Sequence, residues 1–193
     1  MRVGLFGGTF DPPHLGHLVT AVNVRFVLNL DLVVLMVAND PWQKQATREV
    51  AGAHDRLAMV RAAINGVEGL VAGDDEITRG GPSYTADTLV CLGEKYPKAE
   101  LFTIVGDDAA ANFGSWKRAD EIAKLSTLVV VDRPGSPMMP PDEFVWKRVE
   151  VPRLEVSSSD LRARFIDGRP LDYLVSEKVM HVISERGLYG SKK

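Results

Sequence analysis

At 193 residues, with 45% hydrophobic and 25% charged side chains, the chain has the composition of an ordinary soluble globular protein and the length for a substantial core. A net charge of −3 excludes the broad basic surface of a general nucleic-acid binder, so any anionic ligand must be met by a local cluster of donors. The single cysteine, Cys91, excludes an internal disulfide, and its apolar setting between Thr88 and Leu92 reads as core filling.

The first strand, over 2–6, begins almost at Met1 and leaves no room ahead of it for a signal peptide, so a cytoplasmic location is expected. It runs into the string Gly7-Gly8-Thr9-Phe10-Asp11-Pro12-Pro13-His14-Leu15-Gly16-His17. A helix over 15–28 follows, with Leu15, Val19, Val22, Phe26 and Val27 on one face. The second strand, 32–38, is the longest apolar run and is far short of the roughly 20 residues that span a bilayer, so no membrane partner is expected. Then come a helix over 55–64, a strand over 67–72, a helix over 85–96, and strands over 101–105 and 128–131. A proline-, methionine- and glycine-rich stretch, 133–143, reads as a surface loop. A last strand over 145–151 precedes helices over 159–166 and 176–186, the second stopped by Gly187. Alternating strands and helices with near-continuous Val, Leu and Ile runs predict an α/β fold: a Rossmann-like doubly wound parallel sheet with helices on both faces. A single domain over 1–193 is expected, with 152–189 as a small C-terminal helical subdomain.

Ligands of open α/β sheets bind beyond the carboxyl ends of the strands, where the first string lies. Gly7 and Gly8 let the backbone turn tightly and approach a ligand without a Cβ in the way. The amides that open the following helix suit phosphate, and His14 and His17, three apart, share one helical face. The string is neither a GxGxxG fingerprint nor a P-loop, and it carries no P-loop lysine. Near the other end, Ser157-Ser158-Ser159-Asp160-Leu161-Arg162 places hydroxyls and free amides at a helix start, with a planar cation one turn on. Alone this is an ordinary capping sequence; beside the first string it reads as a second phosphate element. Asp160 is expected to serve the helix dipole or solvent.

The first string resembles the GxFDPxHxGH signature of the nucleotidylyltransferase superfamily, and the second its ISSTxIR element, with Ser159 and Leu161 in place of threonine and isoleucine. The resemblance implies that Gly7, Gly8, Thr9, Phe10, His14, His17, Ser157, Ser158, Ser159 and Arg162 bind ATP. It implies further that His14, His17 and Arg162 act as the catalytic groups on the phosphates. Gly106-Asp107-Asp108 is similar to the family's GxD, which implies that Gly106 and Asp108 bind the adenylyl half, Asp108 through a ribose hydroxyl.

The segment Pro82-Ser83-Tyr84-Thr85-Ala86-Asp87-Thr88-Leu89 resembles the PSYTxDTL of bacterial nicotinate-nucleotide adenylyltransferases. It implies that Tyr84 and Thr85 receive a nicotinate carboxylate. Asn39-Asp40-Pro41-Trp42-Gln43-Lys44 resembles that family's NxPxHK, with Gln43 replacing the histidine, and implies that Asn39 and Lys44 contact the acceptor. Trp116 would stack on the pyridine ring and Arg133 would reach the acceptor phosphate. The implied partners are ATP, with Mg²⁺ bound through its phosphates and no metal held by the protein itself, and nicotinic acid mononucleotide; a homo-oligomer stays open. Two alternatives also stay open: transfer to another phosphate ester such as phosphopantetheine, and a non-catalytic nucleotide sensor. Arg48, Arg56 and Arg79 read as solvated surface charges.

Overall fold

The computed structural model describes residues 1–40, 50–132, 140–152 and 154–190. Six strands form one parallel sheet: β1 Arg2–Gly8, β2 Leu32–Val37, β3 Leu70–Gly73, β4 Glu100–Gly106, β5 Thr127–Asp132 and β6 Trp146–Glu150, in the order β3-β2-β1-β4-β5-β6. The chain therefore winds outward from β1 in one direction and then from β4 in the other, the doubly wound topology that the sequence predicts.

The apolar runs are explained by burial on both faces. In β2, Val33, Leu35 and Val37 enter one hydrophobic cluster while Val34 and Met36 enter another across the sheet. The first cluster is covered by helices α1 Leu15–Val27 and α2 Ala53–Ile64, and by α7 Ser158–Asp167 and α8 Glu177–Arg186, which contribute Leu161, Val179 and Ile183. The second is covered by α4 Thr85–Lys95 and α6 Ala119–Leu125, through Leu89, Leu92 and Ile122. The two C-terminal helices thus share the core of the sheet. Cys91 is half-buried on α4.

Several expectations are corrected. Three short helices, α3 Asp75–Arg79, α5 Asp107–Ala111 and α6, were not anticipated, because five to seven residues are too few to display a helical period. β3 begins at Leu70, not 67, since Gly66 and Gly69 hold positive φ and keep the intervening chain in a turn. On α1 the face toward the sheet is set by Ala21 and Val24, whereas Val22, Phe26 and Val27 are exposed, Phe26 by 82%. The small Ala21 lets α1 approach the sheet closely, and that approach selects a stripe rotated from the bulkiest side chains. Finally, Gly7 and Gly8 do not make a turn. They extend β1, pairing with Met36 and Val37, and the chain turns at Phe10, whose φ is 50°.

Candidate active site

The winding reverses between β1 and β4, and a cavity of about 950 Å³ opens beyond that crevice. Gly7, Gly8 and Thr9 bring in the end of β1, Gly106 and Asp108 the end of β4, Tyr84 and Thr85 the start of α4, and Trp116 the far wall. Gly7 faces open space, with no heavy atom within 4 Å of where a Cβ would stand. Gly8 is needed for packing instead. A Cβ there would sit 2.9 Å from the tip of the Phe10 ring, which is 2% exposed. Gly8→Ala is accordingly expected to destabilise the fold by about 1–3 kcal/mol, the usual result of forcing a methyl into a filled space; a denaturant titration checks this.

Beyond Phe10 the chain presents the two imidazoles, beside the loop, with the His17 ring centroid 6.3 Å from that of Phe6, which lines the cavity. His14 is the N-cap of α1 and is buried, while His17 is the third helical residue. Their rings stack at 3.7 Å with 30° between planes, and the Phe10 edge supports His17 at 5.0 Å. A Cβ on Gly16 would press within 3.0 Å of the His14 ring, so glycine there makes room for the stack. The His14 backbone N–H donates to His17 Nδ1 at 3.2 Å. In the neutral ring that bond leaves the proton on Nε2, making that nitrogen an N–H donor.

The serine element is folded back onto this loop. Ser157 caps α7 by accepting from the Asp160 N–H at 3.2 Å, and Ser158 Oγ donates to the Pro12 carbonyl at 3.0 Å. Arg162 donates from Nη1 to the Asp11 carbonyl at 2.5 Å and lies 3.4 Å from Asp11 Oδ2, while Nη2 donates to Ser159 Oγ at 3.3 Å. All three hydroxyls thus hydrogen-bond within the protein, Ser158 to the distant loop after β1. Phe10, His14, His17, Ser157, Ser158, Ser159 and Arg162 therefore form one group, around the β1 loop, and the cavity-lining residues form another. Asp160 pairs with Arg164 and Arg169, and their hydrogen bonds hold its carboxyl below the ordinary aspartate range.

On the acceptor side, the Asn39 N–H donates to Ser83 Oγ at 2.9 Å and its side-chain amide to the Gly81 carbonyl at 2.9 Å. Asn39 acts as a brace that sets α4 against β2. Among the described residues no side chain caps α4, whose N-cap is Tyr84, and amides at a helix start suit an anion. Below, Thr88 Oγ1 donates to the buried Glu76 carboxylate at 2.6 Å, which fixes the same helix from its inner side. Asp108 is exposed at the cavity mouth. Trp116 is half-buried against Phe113, with ring centroids 5.4 Å apart. Lys44, Gln43 and Arg133 lie outside the described residues, as does Arg48.

Sequence reading missed four groups. Lys117 Nζ stands 4.5 Å over the Tyr84 ring and lines the cavity. Arg56 is not a surface charge. It is 2% exposed and donates to the carbonyls of Thr9, Ala38, Asn39 and Ala51 at 2.7–3.2 Å, tying together the loops after β1 and β2. Its burial depresses the guanidinium pKa, an effect countered by the charge of Asp11. Asp11 and Tyr189 complete the group: Asp11 is 2% exposed and accepts the Tyr189 O–H at 2.5 Å. The available signal was Arg56 itself, a charge in the apolar stripe of α2 with Met59, Val60 and Ala63. Arg79 is exposed, as expected.

A parallel sheet with its cavity at the winding reversal, and phosphate-suited donors at the neighbouring loop, places the molecule among the mononucleotide-binding α/β proteins. The cytidylyltransferase-like family model matches residues 5–164. A probable nicotinate-nucleotide adenylyltransferase of Corynebacterium kroppenstedtii is 42% identical, covering 97% of this chain and 90% of the relative. The nicotinate-nucleotide adenylyltransferase of Bacillus subtilis is 37% identical, covering 98% and 99%. The fold of Plasmodium falciparum nicotinic acid mononucleotide adenylyltransferase, solved in complex with NaAD, superposes with a TM-score of 0.77 at 15% identity, over 99% of this chain and 98% of that one. The chain belongs to the cytidylyltransferase-like family and, within it, to the nicotinate-nucleotide adenylyltransferases.

Proposed function

We propose that the chain transfers the adenylyl group of ATP to nicotinic acid mononucleotide, giving nicotinic acid adenine dinucleotide and pyrophosphate in NAD biosynthesis. The observation that carries this reading is the uncapped start of α4 opening onto the cavity that the ends of β1 and β4 also line. One cavity can then seat an anionic ring substituent near Tyr84 and Thr85 while a nucleotide lies over Gly7, Gly106 and Asp108. Trp116 would flank the pyridine ring, and Asn39 would act indirectly by setting α4. The cation of Lys117 adds to the preference for an acid, and Lys44 and Arg133 would serve the acceptor phosphate.

In the reaction, an already anionic oxygen of the mononucleotide phosphate bonds to the α-phosphorus as the bond to pyrophosphate breaks, so no general base is needed. Catalysis is then positioning and charge stabilisation. His17, as an Nε2–H donor, with His14, Arg162 and the amides near Gly8, Thr9 and Phe10, would meet the charge that grows on the leaving group; Ser157, Ser158 and Ser159 frame the same face. This set of imidazole, amide, hydroxyl and guanidinium donors suits phosphate oxygens. Among the described residues no three His, Cys, Asp or Glu side chains gather around a metal position. Mg²⁺ would ride on the ATP phosphates and add positive charge there. Among the described residues no helix is long and apolar enough to cross a membrane, and we place the enzyme in the cytoplasm with its soluble substrates.

Pyrophosphate release from ATP and Mg²⁺, measured over a panel of phosphate-ester acceptors, tests the reading. Nicotinic acid mononucleotide is expected to have a kcat/KM at least about tenfold above its amide analogue, because the amide forfeits charge-assisted bonds to the α4 amides. Equal values would remove the carboxylate argument, and turnover only with phosphopantetheine would replace the acceptor.

A further inference from the structure

We propose that Tyr189 is a positioning residue for triphosphate binding, acting through Asp11 on Arg162. The inference rests on the reading of Arg162 as a triphosphate ligand.

Tyr189 is held with unusual care for a residue so near the C-terminus. Its backbone adopts φ 56°, a left-handed conformation that a side-chain-bearing residue rarely takes up unless its surroundings impose it. Its ring packs against Phe165 of α7 at 5.4 Å between centroids, and its hydroxyl lies 3.8 Å from Met59 Sδ of α2. That packing aims the O–H at Asp11 Oδ1, 178 residues away in sequence. Burial and the Asp11 charge both push the Tyr189 pKa far above its ordinary value, so the hydroxyl remains a donor throughout the working range of pH.

The consequence lies in how the Asp11 carboxylate is shared. Oδ1 is engaged by the Tyr189 O–H and by the Ala51 N–H, the latter at 3.3 Å. Oδ2 faces Arg162 at 3.4 Å, a loose pairing, while the Asp11 carbonyl takes the same Nη1 at 2.5 Å. The Arg162 side chain thereby stays 20% exposed although its partner carboxylate is only 3% exposed. A buried carboxylate that loses a donor takes another, and Arg162 stands 3.4 Å away as a cation ready to serve. Without the tyrosine hydroxyl, Asp11 would draw the guanidinium into a closer, two-pronged pair and away from the face where Ser159 and the imidazoles would meet phosphate.

Calorimetric titration of ATP and of AMP, with no acceptor present, tests this on the full chain. Tyr189→Phe keeps the ring in its packing and removes only the hydroxyl. It is expected to weaken ATP about tenfold, the order of one charge-coupled hydrogen bond, while AMP, which has no β- or γ-phosphate, stays within about twofold. Asp11→Asn in the Tyr189→Phe background completes a cycle: if the tyrosine acts through Asp11, adding Tyr189→Phe to Asp11→Asn should cost less than about a further twofold. Unchanged ATP binding, equal loss of ATP and AMP, or losses that simply multiply would each overturn the assignment. Wild-type turnover in the acceptor panel reports separately on the mononucleotide reading, so failure of one is told apart from failure of the other.

Discussion

A His17→Ala chain is expected to turn over about 100- to 1000-fold more slowly than the parent, the loss typical of removing one donor aimed at developing charge. Its KM for the mononucleotide should stay within about twofold. The asymmetry follows from geometry: the His14 N–H occupies His17 Nδ1, so the neutral ring carries its proton on Nε2 before any ligand arrives. A preset donor of this kind needs no reorganisation as the leaving group charges. The ring also has structural company, stacked on His14 and supported by Phe10, so the unfolding midpoint should be followed in parallel. Steady-state kinetics giving near-normal kcat in a folded His17→Ala chain would remove the leaving-group role.

Arg56→Ala should lower stability by about 3–5 kcal/mol, as when one partner of a buried charged group is removed. Four carbonyls, those of Thr9, Ala38, Asn39 and Ala51, would lose their donor at once in a place that water reaches poorly. For a chain of this size the unfolding midpoint should fall by about 10 °C. Arg56→Lys should recover only part of this, because an ammonium keeps the charge but cannot present a planar fork to carbonyls from two loops. Thermal unfolding of the two variants checks both statements; a fall of less than about 2 °C in Arg56→Ala would show that the carbonyl cage does not hold the loops together.

The sheet was readable because burial on both faces leaves a continuous apolar imprint, as in Leu32–Val37, and because strand ends coincide with glycines and turns. The direction of winding was not in the pattern; it follows from which strands pair, and β1 pairs with both β2 and β4. In the site, the linear strings around His14, Ser157 and Tyr84 could be read because neighbouring residues act together at one helix start. Interactions between distant segments could not. Asp11 stands inside the first string without a role legible there, since its partners are Arg162 and Tyr189, and the bonds of Asn39 to Ser83 and Gly81 likewise join segments far apart in sequence. Arg56 was misjudged because arginine is usually solvated, and only the loops converging on it make burial tolerable.

The pairing of Asp11 with Tyr189, and of Pro12 with Ser158, also governs how the molecule can be born. The loop that follows β1 leaves the ribosome well before the partners that hold it, which lie 146 and 178 residues further along the chain. Such distant closure is slow compared with the formation of local helices. A nascent chain can therefore assemble much of its parallel sheet while the loop after β1 still waits for the closing turn at Leu188–Gly190.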